Sequence, residues 1–434
     1  MILEFSVTNY KSFRDKVTFS MVADEKDKTQ PQNYFESNNT MVLKSAVLYG
    51  ANASGKSNFM EAFGELRNFI LTSNNNISFL DSDFLDSSLF SEYNPFEFDE
   101  PTIKKTTEFD IYFIVKGIKY HLIFTYNENC VMTEELYYYP NGKRTLLYKR
   151  MEEKYEFGNH LKGEKNAVEN LTDLPQLFLS NGAKNKMPQL MTVYEYFENS
   201  FMVIPFLDSW TDTMYAERIA RELYNGESTA YYQNFMNLIK SLDTGITSIE
   251  VEKIKNSRYL EVRGNARLLN ADYRINTYHK AISNNGIETI QKFQIEREST
   301  GTQKLFVLIG LCLRALMFGR VLIIDEFERS LHPLISKFIL SLFNNDKINI
   351  KKAQLIVATH DTELISKDNN LRRDQVWFIE KDDYGVSDLY ALTDVEGVRK
   401  ETPFDKWYLT NRLGGVPNLK TFNFQINFEH EAQT

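Results

Sequence analysis

The stretch Gly50-Ala-Asn-Ala-Ser-Gly-Lys-Ser57 fits the spacing G-x-x-x-x-G-K-[ST], which suits the cradling of a polyphosphate. Gly50 and Gly55 allow the backbone to curl until its N–H groups face phosphate oxygens. Asn52, Ala53 and Ser54 complete that backbone cradle, and Asn58 lies in the first turn of a helix whose N-terminus adds partial positive charge. Lys56 would reach the β- and γ-phosphates, and the Ser57 hydroxyl would ligate Mg²⁺.

Far downstream, "RVLIIDEFERSLHP" (320–333) places two carboxylates at the end of a four-residue apolar run. Asp325 is placed to hold Mg²⁺, and Glu326, on the other side of the chain, to polarise an attacking water as general base. An acidic turn after a core strand is the plain alternative, and the phosphate loop upstream weighs against it. "AQLIVATHDTELI" (353–365) supplies another apolar run, ending at His360. In a parallel sheet the C-terminal strand ends gather at the ligand, which puts His360 within reach of a γ-phosphate. Just before the carboxylates, Ser299, Thr300, Gly301 and Gln303 of "ESTGTQ" lead into a long apolar helix. A hydroxyl, a bare backbone N–H and a helix dipole together make a second anion site. Read alone, the serine would be an ordinary helix cap.

These groups need elements to hold them. "SAVLY" (45–49) is short and apolar enough for a buried strand, and "NFMEAFGELRNFI" (58–70) has helical spacing. Residues 107–150 read as an antiparallel meander with turns at "KGIK", "NEN" and "PNGK". From about Gln189 to Ser241 the pattern is helical. "QVWFIEKDDYGVSDLYAL" reads as two strands around a turn. Five basic residues, Arg258, Arg263, Arg267, Arg274 and Lys280, lie among tyrosines. That pattern serves either a nucleic-acid surface or the solvated face of a hairpin, and the acidic total favours the hairpin.

The 434 residues carry a net charge of −9, so no overall positive field draws the chain onto nucleic acid. Two distant cysteines, Cys130 and Cys312, suit a reducing cytoplasm and offer no disulfide frame. The longest apolar run, 305–318, is short for a bilayer and contains Arg314, so no membrane partner is expected.

The order of motifs resembles the ABC-type ATPases, in their RecF/SMC-like branch. "VTNYKSF" at the start is similar to the first strand and turn of such heads, and "LHP" (331–333) stands in the place of their D-loop. Within that branch, "GANASGKSN", "ESTGTQ", "DEFERSLHP" and "NRLGGVPNL" (411–419) resemble compact bacterial phage-defence ATPases of RloA-like, abortive-infection and PARIS type. The resemblance implies an α/β P-loop NTPase head of ABC type, with an antiparallel β subdomain and an inserted helical arm. It implies the boundaries 1–185 and 246–434 for the two parts of the head and 186–245 for the arm or lid. It further implies that two copies sandwich ATP and Mg²⁺. Ser299, Thr300, Gly301 and Gln303 would act in trans as the signature, Glu326 would activate water, and His360 would be the switch histidine. The expected partners are a second copy, or a higher homo-oligomer, and a separately encoded effector. A RecF-like DNA-binding ATPase is the alternative function, and a transporter ATPase subunit a third. Two departures stand out. The signature is S-T-G-T-Q where transporters have L-S-G-G-Q, and no glutamine follows Ser57 until Gln176, leaving Gln176 and Gln189 as candidates for the Q-loop.

Overall fold

The computed structural model describes residues 1–37, 39–74, 93–204, 209–226, 229–254, 259–262, 265–268, 273–366, 370–399 and 402–417. Two large sheets organise them. The first has six strands in the order Phe201–Ile204, Val321–Ile324, Gln354–Ala358, Ser45–Gly50, Val376–Lys381, Ser387–Ala391. The first five run parallel and the last is an antiparallel edge. Ser45–Gly50, Val321–Ile324 and Gln354–Ala358 are buried at every position, which is why they read as mostly apolar runs.

The second sheet has seven antiparallel strands, in the order Lys154–Phe157, Thr145–Met151, Val131–Tyr139, Ile118–Tyr126, Thr107–Val115, Ile2–Thr8, Val17–Ser20. It contains the meander expected from the sequence and adds the N-terminal strand to it. Alternation is visible in Thr107–Val115, where Phe109, Ile111 and Phe113 point inward. The helix Lys56–Thr72 lies between the sheets, so it is apolar on both sides. Its Phe63 stacks on Phe5 with ring centroids 4.1 Å apart, and its Phe59 meets Phe13 at 5.7 Å. Buried Gln354 joins the sheets: its amide accepts from Ile2 N at 2.7 Å and donates to the carbonyls of Ile2 and Leu43 at 3.0 and 3.2 Å. Each of these polar groups would otherwise be stranded in an apolar layer.

The other face of the parallel sheet is covered by the helices Thr300–Phe318 and Pro333–Asn344, and here the span 186–245 makes its contribution. That span contains the helix Pro188–Ser200, the helices Ser209–Asn225 and Ala230–Ser241, and between them the strand Phe201–Ile204. The sequence pattern had suggested only helices. "FMVI" instead forms the edge of the parallel sheet, paired with Val321–Ile324, because four consecutive apolar residues can be buried on both faces there. The two later helices pack on Thr300–Phe318. A Cβ at Gly310 would lie 2.4 Å from the Ile219 side chain, so glycine permits this close approach. Phe235 meets Phe306 at 5.1 Å. Among the described residues Thr300–Phe318 is the one helix long and apolar enough to cross a membrane, and it is a core helix, buried over 72% of its apolar window.

A third, three-stranded antiparallel sheet (Ile246–Lys253, Tyr273–Ile282, Glu288–Gln294) precedes Thr300–Phe318, with a separate hairpin Tyr259–Val262/Asn265–Leu268. Of the basic residues in this region, Arg258 and Arg263 lie outside the described residues, as does the Arg267 side chain. Arg274 faces Glu252 at 4.0 Å, and Lys280 is exposed. The described residues thus form a mostly parallel α/β sheet with a glycine-rich loop between strand and helix, packed against an antiparallel β sheet.

Candidate functional site

The phosphate loop leaves the parallel sheet at the C-terminal end of Ser45–Gly50 and enters the helix beginning at Lys56. Its two glycines are required by different constraints. A Cβ on Gly50 would sit 2.4 Å from Ser54 Oγ and 2.6 Å from the Ile379 carbonyl oxygen. Gly55 has φ +115°, and a Cβ there would lie 2.5 Å from Ser387 Oγ and 2.8 Å from Ser12 Oγ. Ala53 is itself left-handed, at φ 63°. Gly55→Ala is expected to cost about 1–3 kcal/mol through backbone strain and the displaced serines. The urea unfolding midpoint measures this, and an unchanged midpoint would contradict the packing just described.

Ser12 and Ser387, which the sequence reading did not single out, brace this loop from opposite ends of the chain. Ser387 Oγ donates to the Ser54 carbonyl at 2.6 Å, Ser387 N donates to Ser12 O at 2.7 Å, and Asn58 Nδ2 donates to Ser12 Oγ at 2.8 Å. The opening "NYKSF" motif therefore reaches the loop through its serine. Lys11 instead pairs with Glu61 on the loop's helix, and Phe13 is core.

Lys56 is buried, and its ammonium donates to the carbonyls of Gly50 and Ala51 at 2.7 and 3.0 Å. Burial lowers its pKa to about 8, against the opposing charges of Asp325, Glu328 and Glu326. Asp325 is buried close to the Ser57 hydroxyl. Burial raises its pKa, while Ser57 and the Glu326 N–H, at 2.9 Å from Oδ1, lower it. The structure thus brings Lys56, Ser57 and Asp325 together across the two neighbouring motifs. A hydroxyl beside a carboxylate is a hard-oxygen pair that fits Mg²⁺.

Glu326 has φ 49°, and its carboxylate is exposed, 2.9 Å from Arg329. His360 is at the end of Gln354–Ala358, with its ring at the surface. Desolvation, then the Lys56 charge, lowers its pKa, while Glu328 and Glu326 oppose the shift. Its backbone N–H donates to Glu328 Oε1 at 2.7 Å. Glu328, which the sequence reading also passed over, therefore links the loop after Asp325 to the His360 strand end.

Ser299, Thr300, Gly301 and Gln303 begin the helix on the other face. Ser299 Oγ accepts from Thr302 N at 3.2 Å, and Gln303 Nε2 donates to Glu298 O at 2.8 Å. A Cβ at Gly301 would lie 2.9 Å from Ser330 O, so this turn sits against the segment following Asp325. Their side-chain hydrogen bonds are local, and none reaches the phosphate loop of the same chain. Both Q-loop candidates have structural partners far from it. Gln176 bonds Asp173 N and Asn181, and Gln189 bonds His160 O and Lys162 N.

A family model described as "AAA domain, putative AbiEii toxin, Type IV TA system" matches residues 45–366, from the phosphate-loop strand to just beyond His360. The chain belongs to this family. It is a P-loop ATPase of the AAA class. No curated protein matches it. Three solved structures are similar at low identity. An SMC head bound to the C-winged helix domain of ScpA has 15% identity over 90% of this chain and 97% of that one, with a TM-score of 0.42. The SMC head domain from Thermotoga maritima has 12%, over 90% and 98%, at 0.40. A Smc head domain with an extended coiled coil, bound to the C-terminal domain of ScpA derived from Pyrococcus furiosus, has 14%, over 95% and 98%, at 0.41.

In this AAA-family head a cavity of about 840 Å³ opens beside the phosphate loop, lined among others by Arg14, Lys16, Asn52, Ala53, Ser387 and Asn411. Its C-terminal wall comes from "NRLGGVP", which docks on the head: Gly415 N donates to Glu380 Oε1 at 2.6 Å and Tyr408 OH donates to Gly415 O at 3.1 Å. Gly415 has φ 70°, and a Cβ there would be 3.5 Å from Gly50 Cα. Asn418 and Leu419 of the same motif lie outside the described residues.

Proposed function

We propose that the chain is an ATP-hydrolysing head that assembles with a second copy, sandwiches ATP between the two, and regulates a separately encoded effector in anti-phage defence in the cytoplasm. The observation that carries the ATPase reading is the convergence of Lys56, Ser57 and Asp325 at the C-terminal ends of two parallel strands that flank Gln354–Ala358. In this reading the loop N–H groups and Lys56 hold the β- and γ-phosphates, and Ser57 and Asp325 hold Mg²⁺, which neutralises phosphate charge. Glu326 takes a proton from the attacking water, and His360 contacts the γ-phosphate from the next strand end.

The dimeric part rests on Ser299, Thr300, Gly301 and Gln303. They form a helix N-terminus with an exposed serine and make no side-chain bond to their own phosphate loop, which leaves them available to the nucleotide of a second copy. The defence role is in keeping with the family's description, which names a toxin of a Type IV system. Light scattering on Glu326→Gln, which should bind ATP without consuming it, tests the shared site. The mass is expected to double on adding ATP and Mg²⁺. A mass that stays monomeric at saturating ATP would overturn assembly through the nucleotide.

A further inference from the structure

Glu328 holds two different positions at once. Its Oε1 accepts the His360 N–H at 2.7 Å, while its Oε2 is buried and has no hydrogen-bond partner. A buried carboxylate oxygen without a donor is costly, so it calls for an explanation in the working site. Its charge acts on both Lys56 and His360, which flank the phosphate position. Glu326, by contrast, is exposed and engaged by Arg329.

We propose that Glu328 is a second catalytic carboxylate, whose Oε2 accepts one O–H of the attacking water and aims its oxygen at the γ-phosphorus. This rests on the ATP-hydrolysis reading above. The other O–H is left to Glu326, which takes that proton as the water oxygen bonds to phosphorus. The bond from phosphorus to the β–γ bridging oxygen breaks, and ADP leaves with the electron pair. Glu328 gains no proton; it orients. Through Oε1 the water acceptor is tied to the backbone of His360.

Glu328→Gln and Glu328→Ala separate this role from a structural one. In the glutamine variant the amide oxygen can still accept the His360 N–H, while the NH₂ replaces Oε2 and can no longer accept from water. Alanine removes both functions. ATP affinity and steady-state turnover with Mg²⁺ are measured on the full chain for wild type and both variants. Glu328→Gln is expected to bind ATP within about twofold of wild type, with KM little changed and kcat reduced about 100-fold, the scale that a misplaced reacting atom costs. Retained ATP binding also reports that the variant is folded. Near-normal kcat in Glu328→Gln, with loss only in Glu328→Ala, would reduce Glu328 to a loop tie and overturn the proposal. So would a loss confined to ATP affinity. Wild type that binds ATP but does not turn it over would instead overturn the hydrolysis reading, and this inference with it.

Discussion

Lys56→Ala is expected to weaken ATP binding by at least about 100-fold, or about 2.7 kcal/mol. The Lys56 ammonium lies on the Gly50 and Ala51 carbonyls inside the curl of the loop, and burial has already stripped away much of its water. A charge in that setting interacts strongly with phosphate, because little solvent remains to screen it. Alanine leaves the loop backbone and its bracing serines in place, so the loss should fall on affinity and not on folding. Glu326→Gln makes the necessary contrast. Its carboxylate is exposed beside Arg329, away from the curl, so binding should stay within about twofold while turnover falls by a factor of about 10²–10⁴. Titration calorimetry with ATP and Mg²⁺, alongside phosphate-release rates, measures both. Equal loss of affinity in the two variants would show that the two residues do not have separate roles.

Ser299→Arg carries the second large effect. Ser299 caps its own helix through Thr302 N, so losing that bond costs about 1 kcal/mol, too little to unfold a head with so large a core. Ser299→Ala measures that cost alone and should leave assembly nearly intact. Arginine adds bulk and a cation at the exposed turn beside Gly301, where the proposed second copy brings its nucleotide. ATP affinity of the isolated head should be preserved, the ATP-dependent rise in mass abolished, and turnover reduced about 100-fold or more. Normal turnover by Ser299→Arg would remove this helix start from the site. Loss of ATP affinity in the monomer would instead mean that it contacts the nucleotide in cis.

The sequence by itself determined the parts of this protein whose physics is local. A loop that must curl around phosphate needs glycine at two fixed positions, and both Gly50 and Gly55 prove to have no space for a Cβ. A strand buried on both faces is mostly apolar, so Ser45–Gly50, Val321–Ile324 and Gln354–Ala358 were legible, together with the carboxylates and histidine beyond the last two. The antiparallel meander showed through its turn residues.

Tertiary structure alone decided what depends on partners distant along the chain. Ser12 and Ser387 brace the loop from either end of the sequence, and a serine carries no periodic signal to mark it. "FMVI" was too short to be told from a helix end until an open sheet edge lay beside it. Gln176 and Gln189 were candidates by their order in the chain, yet both are spent on structural bonds away from the phosphate loop. Nothing in the sequence marked Glu328. Its importance comes from where its two oxygens lie, one on the backbone of the next strand and one buried without a donor. Spacing along a chain cannot encode that, because it is set only when the strands are packed side by side.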